Sequence, residues 1–234
     1  MANSRHSGLQ IDNQRSRMAT RIIGLLLSLS IATLACGHDV EVVVVDKGGQ
    51  PVADVAVYAV RLDGKSESAA PTVVATMDQI DRQFVPHLLV VQTGTPVEFP
   101  NSDTVAHHVY SFSHPNKFML PMYKGEQYPP VIFQHSGVVS LGCNIHDHML
   151  GYILVVDSAD FTMTDENGHA ILLLNNPAEY AVKIWSPRIR DKEKFLTRSL
   201  ASTTKQDAKV VFSLAKRLNP PHDEQAGGAS WSDY

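Results

Sequence analysis

The chain has 234 residues, 44% of them apolar, and a net charge of −4. That is enough apolar material to bury one or two ordinary cores, and it argues against a disordered chain. No block of lysine or arginine appears, so a nucleic-acid partner has no electrostatic footing.

At the N-terminus Arg5, Arg15, Arg17 and Arg21 stand against Asp12 alone, and the uncharged run IIGLLLSLSIATLAC follows, ending at Cys36. A basic region followed by an apolar one of this length reads as a signal peptide, expected over residues 1–37 with cleavage after Gly37. Fifteen residues containing two serines and a threonine are short for a bilayer span, so no transmembrane segment is expected in the mature form. The protein is therefore expected to be periplasmic or otherwise exported. A lipoprotein anchored through Cys36 is the alternative, although Thr33 stands where a lipoprotein box has a large aliphatic residue. Either route leaves Cys143 as the one free cysteine, with no intrachain disulfide possible. An unpaired thiol in an oxidising compartment is a liability unless it is buried or holds a metal.

Beyond the signal, short runs rich in β-branched residues follow one another: VEVVVV, DVAVYAVRL, TVVAT, HLLVVQT, PVEF, VAHHVYSF, GVVSLG, GYILVV, AILLL, EYAVKIW and KVVFSL. Gly, Pro, Asn and Asp separate them, as turns between strands require. The expected fold is all-β, in two sandwiches, with at most a helical turn within 189–200. DKGG at 46–49 and DENG at 165–168 are turn signals in which glycine accepts a positive φ. SESAAP reads as a linker, and 217–234 as a flexible tail.

The stretch SLGCNIHDHMLGY gathers Cys143, His146, His148 and Met149 between two of these strands. The bland readings are a buried thiol beside a core methionine, and a solvated histidine turn. Against them stands the spacing Cys-x2-His-x2-Met, which lets a loop at one end of a sandwich turn Cys143, His146 and Met149 towards one point. A fourth ligand is then needed from another strand ending at the same pole, and FPNSDTVAHHVYSF offers His107 after an Asn-Ser-Asp turn. Two histidines and a cysteine with a weak axial methionine are the ligand set of blue-copper electron-transfer sites. Structural zinc would want another cysteine or histidine in place of Met149, and c-type haem would want Cys-x-x-Cys-His.

These paired motifs, VVATMDQIDRQFVPHLLVVQTGTPVEFPNSDTVAHHVYSFS and GVVSLGCNIHDHMLGYILVV, resemble a cupredoxin domain of the amicyanin and plastocyanin type, over roughly 72–157. The fuller chain resembles cupredoxin-like proteins labelled methylamine utilization proteins. The resemblance implies a Greek-key sandwich with one type 1 copper on His107, Cys143, His146 and Met149. It implies a carrier of single electrons, not an enzyme, serving a redox protein such as a c-type cytochrome or a periplasmic dehydrogenase. A copper carrier or sensor using the same ligands is the alternative function. His108 stands where related proteins have asparagine, and strand alternation sends it to the face opposite His107. His148 is expected to face solvent, and the isolated His87, His114, His135 and His169 are expected to be surface or turn residues. Met119, Met122 and Tyr123 are expected to pack in the core, the alternative being an apolar patch near the site.

The flanks VEVVVVDKGGQPVADVAVYAVRL and FTMTDENGHAILLLNNPAEYAVKIWSP are each too short to bury a sandwich core alone. Together they resemble a carboxypeptidase-regulatory-like module. It is expected as a discontinuous β-sandwich from 38–66 and 158–216, with strands near 41–45 or 54–61 pairing with strands near 170–185.

Overall fold

The computed structural model describes residues 38–65, 71–125, 128–174, 176–191, 195–202 and 208–221. The expected signal peptide, most of the linker and the tail beyond Pro221 lie outside the described residues. The first flank holds β1 (His38–Val45) and β2 (Ala56–Arg61). The middle segment holds β3 (Ala75–Thr76), β4 (Asp78–Ile80), β5 (Gln83–Val85), β6 (Leu88–Gln92), β7 (Pro96–Glu98) and β8 (Val109–Ser111). It continues with β9 (Phe118–Met119), β10 (Val131–Ile132), β11 (Gly137–Cys143) and β12 (Leu150–Val156). The second flank holds β13 (Phe161–Met163), β14 (His169–Leu174), β15 (Ala178–Trp185), β16 (Leu196–Ser202) and β17 (Ala208–Ser213). The fold is all-β, with no helix among the described residues.

The flanks share two sheets, ordered β14-β1-β17 and β13-β2-β15-β16. Val42 lies opposite Ala170, and Val60 opposite Ala181, both in antiparallel register. Between these sheets Val40, Val42, Val57, Leu172, Val182 and Phe212 form one buried core. The middle segment forms a five-stranded sheet, β6-β12-β11-β8-β9, facing a smaller sheet, β10-β7-β3. Phe84, Val97, Val139, Leu141, Ile153 and Val155 fill the space between them, together with Cys143 and Met149.

A third buried cluster joins the two halves: Ala56 and Tyr58 of β2, Leu88 of β6, Leu154 and Val156 of β12, and Trp185 of β15. β2 and β12 are thus covered on both faces, which is why they read as unbroken apolar runs instead of alternating ones. On β12, Ile153 and Val155 enter the middle core while Leu154 and Val156 pack against the flanking sheet. Of the five sheets, these four are stacked through three successive apolar layers, and β4-β5 forms a separate two-stranded hairpin.

Two expectations need correction. The helical turn considered within 189–200 is absent from its described part: residues from Leu196 onward are strand, with Leu196 opposite Ile184 and Leu200 opposite Tyr180. Leucines four apart fit one face of a helix or of a strand equally well, and pairing with β15 selects the strand. At the start of the expected tail, Asn219 is held in place. Its N–H donates to Arg188 O at 2.8 Å, and its side-chain amide to Pro187 O at 3.2 Å.

Candidate metal centre

Cys143 is the last residue of β11, which is held between β12 and β8, with Cys143 opposite Val109. The loop leaving it is closed by a hydrogen bond from Met149 N–H to His146 O at 2.9 Å, so both ends of the loop return to the same pole. His107 lies two residues before β8 in a two-way bridge with Tyr123, each N–H donating to the other's carbonyl at 3.0 Å. Asn101 shapes the turn ahead of it, donating from its amide to Val105 O at 3.0 Å and Tyr123 O at 2.9 Å.

These elements bring three donor atoms together. Cys143 Sγ lies 3.7 Å from His107 Nδ1 and 3.8 Å from His146 Nδ1, and the two nitrogens are 3.2 Å apart. His107 is fully buried, Cys143 and Met149 are nearly so, and His146 is half-buried. Among the described residues this is the one group of three or more His, Cys, Asp or Glu side chains placed to share an ion. Met149 lies in the same core cluster as Cys143. Burial, then electrostatic interaction with the His107, Arg82 and His148 side chains, holds the His146 imidazole below its ordinary range, so a proton competes less well for its nitrogens.

The remaining histidines fall outside this group. The His108 ring faces Tyr110, with centroids 5.7 Å apart, and that of His148 is 6.2 Å from His146. His87 packs edge-on against Tyr152 at 5.5 Å, and His169 lies 3.1 Å from Glu41. The expectation for the methionines is overturned in part. Tyr123 is core, but Met119 and Met122 are 58% and 60% exposed, because the two-residue β9 and the bend after it sit at the sheet edge.

Sequence reasoning missed the support behind His107. Its Nε2 lies 2.9 Å from Asp103 Oδ2, and this carboxylate is itself nearly buried. The spacing of four residues between Asp103 and His107 was the available signal, but the contact depends on the turn between them. Also missed was the buried Gln79, whose amide donates to Pro100 O at 2.9 Å and reaches the Tyr123 hydroxyl. Burial pushes the Tyr123 phenol up to about 12.

No known family model matches this chain, and no curated protein matches it. Solved structures do. A purple cupredoxin from Nitrosopumilus maritimus is 23% identical, with a TM-score of 0.32, over 35% of this chain and 99% of its own. An oxidised amicyanin variant is 23% identical, with a TM-score of 0.33, over 42% of this chain and 99% of its own. A reduced amicyanin variant is 25% identical over the same shares, also with a TM-score of 0.33.

Proposed function

We propose that the protein is an exported one-electron carrier with a single type 1 copper site, which His107, Cys143 and His146 would hold with Met149 as a weaker donor. The observation that carries this reading is the convergence of one thiol sulfur and two imidazole nitrogens within 4.8 Å of one another, with Met149 buried in the same core. Thiol and thioether are soft donors and imidazole is intermediate, a set that suits copper. Structural zinc would be better served by a nitrogen or a second thiolate in place of Met149. When bound, copper supplies a one-electron couple between Cu(II) and Cu(I).

The chain's own residues do the rest. Cys143 is fixed by the two strands flanking β11, and His107 by its bridge to Tyr123, so neither has room to rearrange between oxidation states. His146 is the most accessible of the four and serves as the port through which an electron leaves. A c-type cytochrome or a periplasmic dehydrogenase is the class of partner. The flanking sheets hold the copper domain and offer it a docking face without chemistry of their own. The charge pattern of residues 1–37 supports export.

The test is a visible spectrum of the copper-loaded protein. Thiolate-to-copper charge transfer should give strong colour, and Cys143→Ser should abolish it. A colourless wild-type complex, or a variant that keeps its colour, overturns the assignment. Incubating the coloured protein with a chelator through repeated reduction and reoxidation separates a carrier of electrons, which keeps its copper, from a carrier of copper, which releases it.

A further inference from the structure

Met119 and Met122 lie in solvent, and the strand beside them begins at a histidine that the candidate centre does not use. The register gathers these three. Met119 lies opposite Tyr110 where β9 pairs with β8, and Tyr123 lies opposite His107 in the antiparallel bridge that follows. Between these two pairs the outer strand advances four residues and its partner three, so one residue is in excess. Leu120 N–H still donates to Val109 O at 2.8 Å, which leaves Pro121 and Met122 together opposite His108. Two residues facing one make a β-bulge, and Pro121, with no N–H to give, suits the unpaired place.

The side chains sort by face. Val109 and Tyr123 are buried and Leu120 packs against the middle core, so alternation turns His108, Tyr110, Met119 and Met122 to the outer face. The Tyr110 ring lies over Gly142 of β11, where an added Cβ would meet it at 2.9 Å. Beside that ring stands the half-buried His108, centroids 5.7 Å apart, and its imidazole makes no hydrogen bond among the described residues. Residues opposite each other in antiparallel strands have Cβ atoms about 4.5–5.5 Å apart, a span that long, unbranched methionine crosses readily. Burial does not explain these methionines, and hydrogen bonding does not explain this histidine.

We infer that His108, Met119 and Met122 form a second metal site, on the protein surface, that takes one Cu(I) ion. Thioether sulfur is a soft, uncharged donor that favours Cu(I) over Cu(II) and is no usual ligand of Zn(II), and imidazole completes the set. The Tyr110 ring adds a π face beside the bound cation. His107 and His108 are chain neighbours whose side chains leave on opposite sides, so the two sites share no ligand. The assignment follows from the donors at this sheet edge and does not require the candidate centre to hold copper.

The experiment is an anaerobic NMR titration of the full, metal-free chain, with isotope-labelled methionine methyls and histidine ring nitrogens, against Cu(I) buffered by a chelator. The Met119 and Met122 methyls and the His108 ring nitrogens should shift together, at one free Cu(I) concentration, and Zn(II) should leave both methyls unmoved. Met122→Leu conserves volume at an exposed position. In that variant Met119 and His108 should no longer shift at the Cu(I) concentration that saturates the wild type. His108→Ala should silence both methyls in the same way, while the methyl of Met149, buried in the middle core, reports that each variant keeps its fold.

Methyls of Met119 and Met122 that do not respond to Cu(I) in the wild type overturn the inference, as does a Met119 response unaltered by Met122→Leu, which would show isolated thioethers instead of a site. Cys143→Ser separates the two copper readings. If it abolishes the colour of the copper-loaded protein and leaves the Met119 and Met122 shifts intact, both stand; if the wild type never colours but the two methyls respond, the proposed function fails and the surface site remains.

Discussion

Gly168→Ala should destabilise the protein by about 2–5 kcal/mol, whereas Gly49→Ala should cost only about 1 kcal/mol. The two glycines occupy turns with matching hydrogen bonds. In the first turn, Asp46 Oδ1 accepts from Gly48 N–H at 2.7 Å and Gln50 N–H at 2.9 Å. In the second, Asp165 Oδ1 accepts from Asn167 N–H at 2.9 Å and His169 N–H at 2.8 Å. Gly49 has φ of 81° and Gly168 of 71°, a conformation that costs other L-residues about 1–2 kcal/mol. Replacing glycine also restricts the unfolded chain, which returns about 0.4–1 kcal/mol at either site.

Only the surroundings differ. A Cβ on Gly49 would meet nothing within 4 Å, whereas on Gly168 it would lie 2.5 Å from Val44 O and 2.9 Å from Val52 N. Those are backbone atoms that cannot swing away. Relief requires the β14 turn to move off β1, which strains the packing by about 1–3 kcal/mol. The same movement weakens the bond from Val44 N–H to Gly168 O, now 2.8 Å, worth about 0.5–1.5 kcal/mol. Urea unfolding of both variants, followed by far-ultraviolet circular dichroism, measures the difference directly. Variants that unfold within about 0.5 kcal/mol of each other would refute the close approach of the two flanks at this turn.

Met149→Leu should keep the colour of the copper-loaded protein and raise its reduction potential, because loss of a weak axial donor disfavours Cu(II); voltammetry reads the shift, and loss of the metal would contradict an axial role. Trp185→Ala should cost about 3–5 kcal/mol by emptying the layer between the two halves, and calorimetry should show their unfolding beginning to separate. Hydrogen bonds from His169 and Asn167 hold the Asp165 carboxyl below its ordinary value of 3.8, so its contribution is present above about pH 4 and fades as pH falls through the folded value. Urea midpoints should accordingly show the wild type's advantage over Asp165→Ala shrinking with acidification below about pH 4; an advantage constant down to pH 2 would show that ionisation of Asp165 contributes nothing.

What could be read from the sequence was whatever depends on near neighbours along the chain. Cys143, His146 and Met149 lie within seven residues between two strand-like runs, so their spacing alone pointed to one pole. Likewise the DKGG and DENG turns, each an aspartate whose side chain caps N–H groups two and four residues on, were legible as local chemistry. The all-β class followed from many short β-branched runs, because alternation and turn residues are local properties too.

Tertiary structure decided the rest, for a common physical reason: the deciding partner is remote in sequence or the element is too short to show a period. β4, β5, β9 and β10 have two or three residues each and exist through pairing alone. β16 could not be told from a helical turn until β15 lay beside it. Met119 and Met122 are apolar enough for a core, but their position at a sheet edge leaves them in solvent. Asp103 reads as one acid in a polar turn. It meets His107 because the chain bends around Asn101, and an N–H from a hairpin tip twenty-one residues earlier reaches the same oxygen.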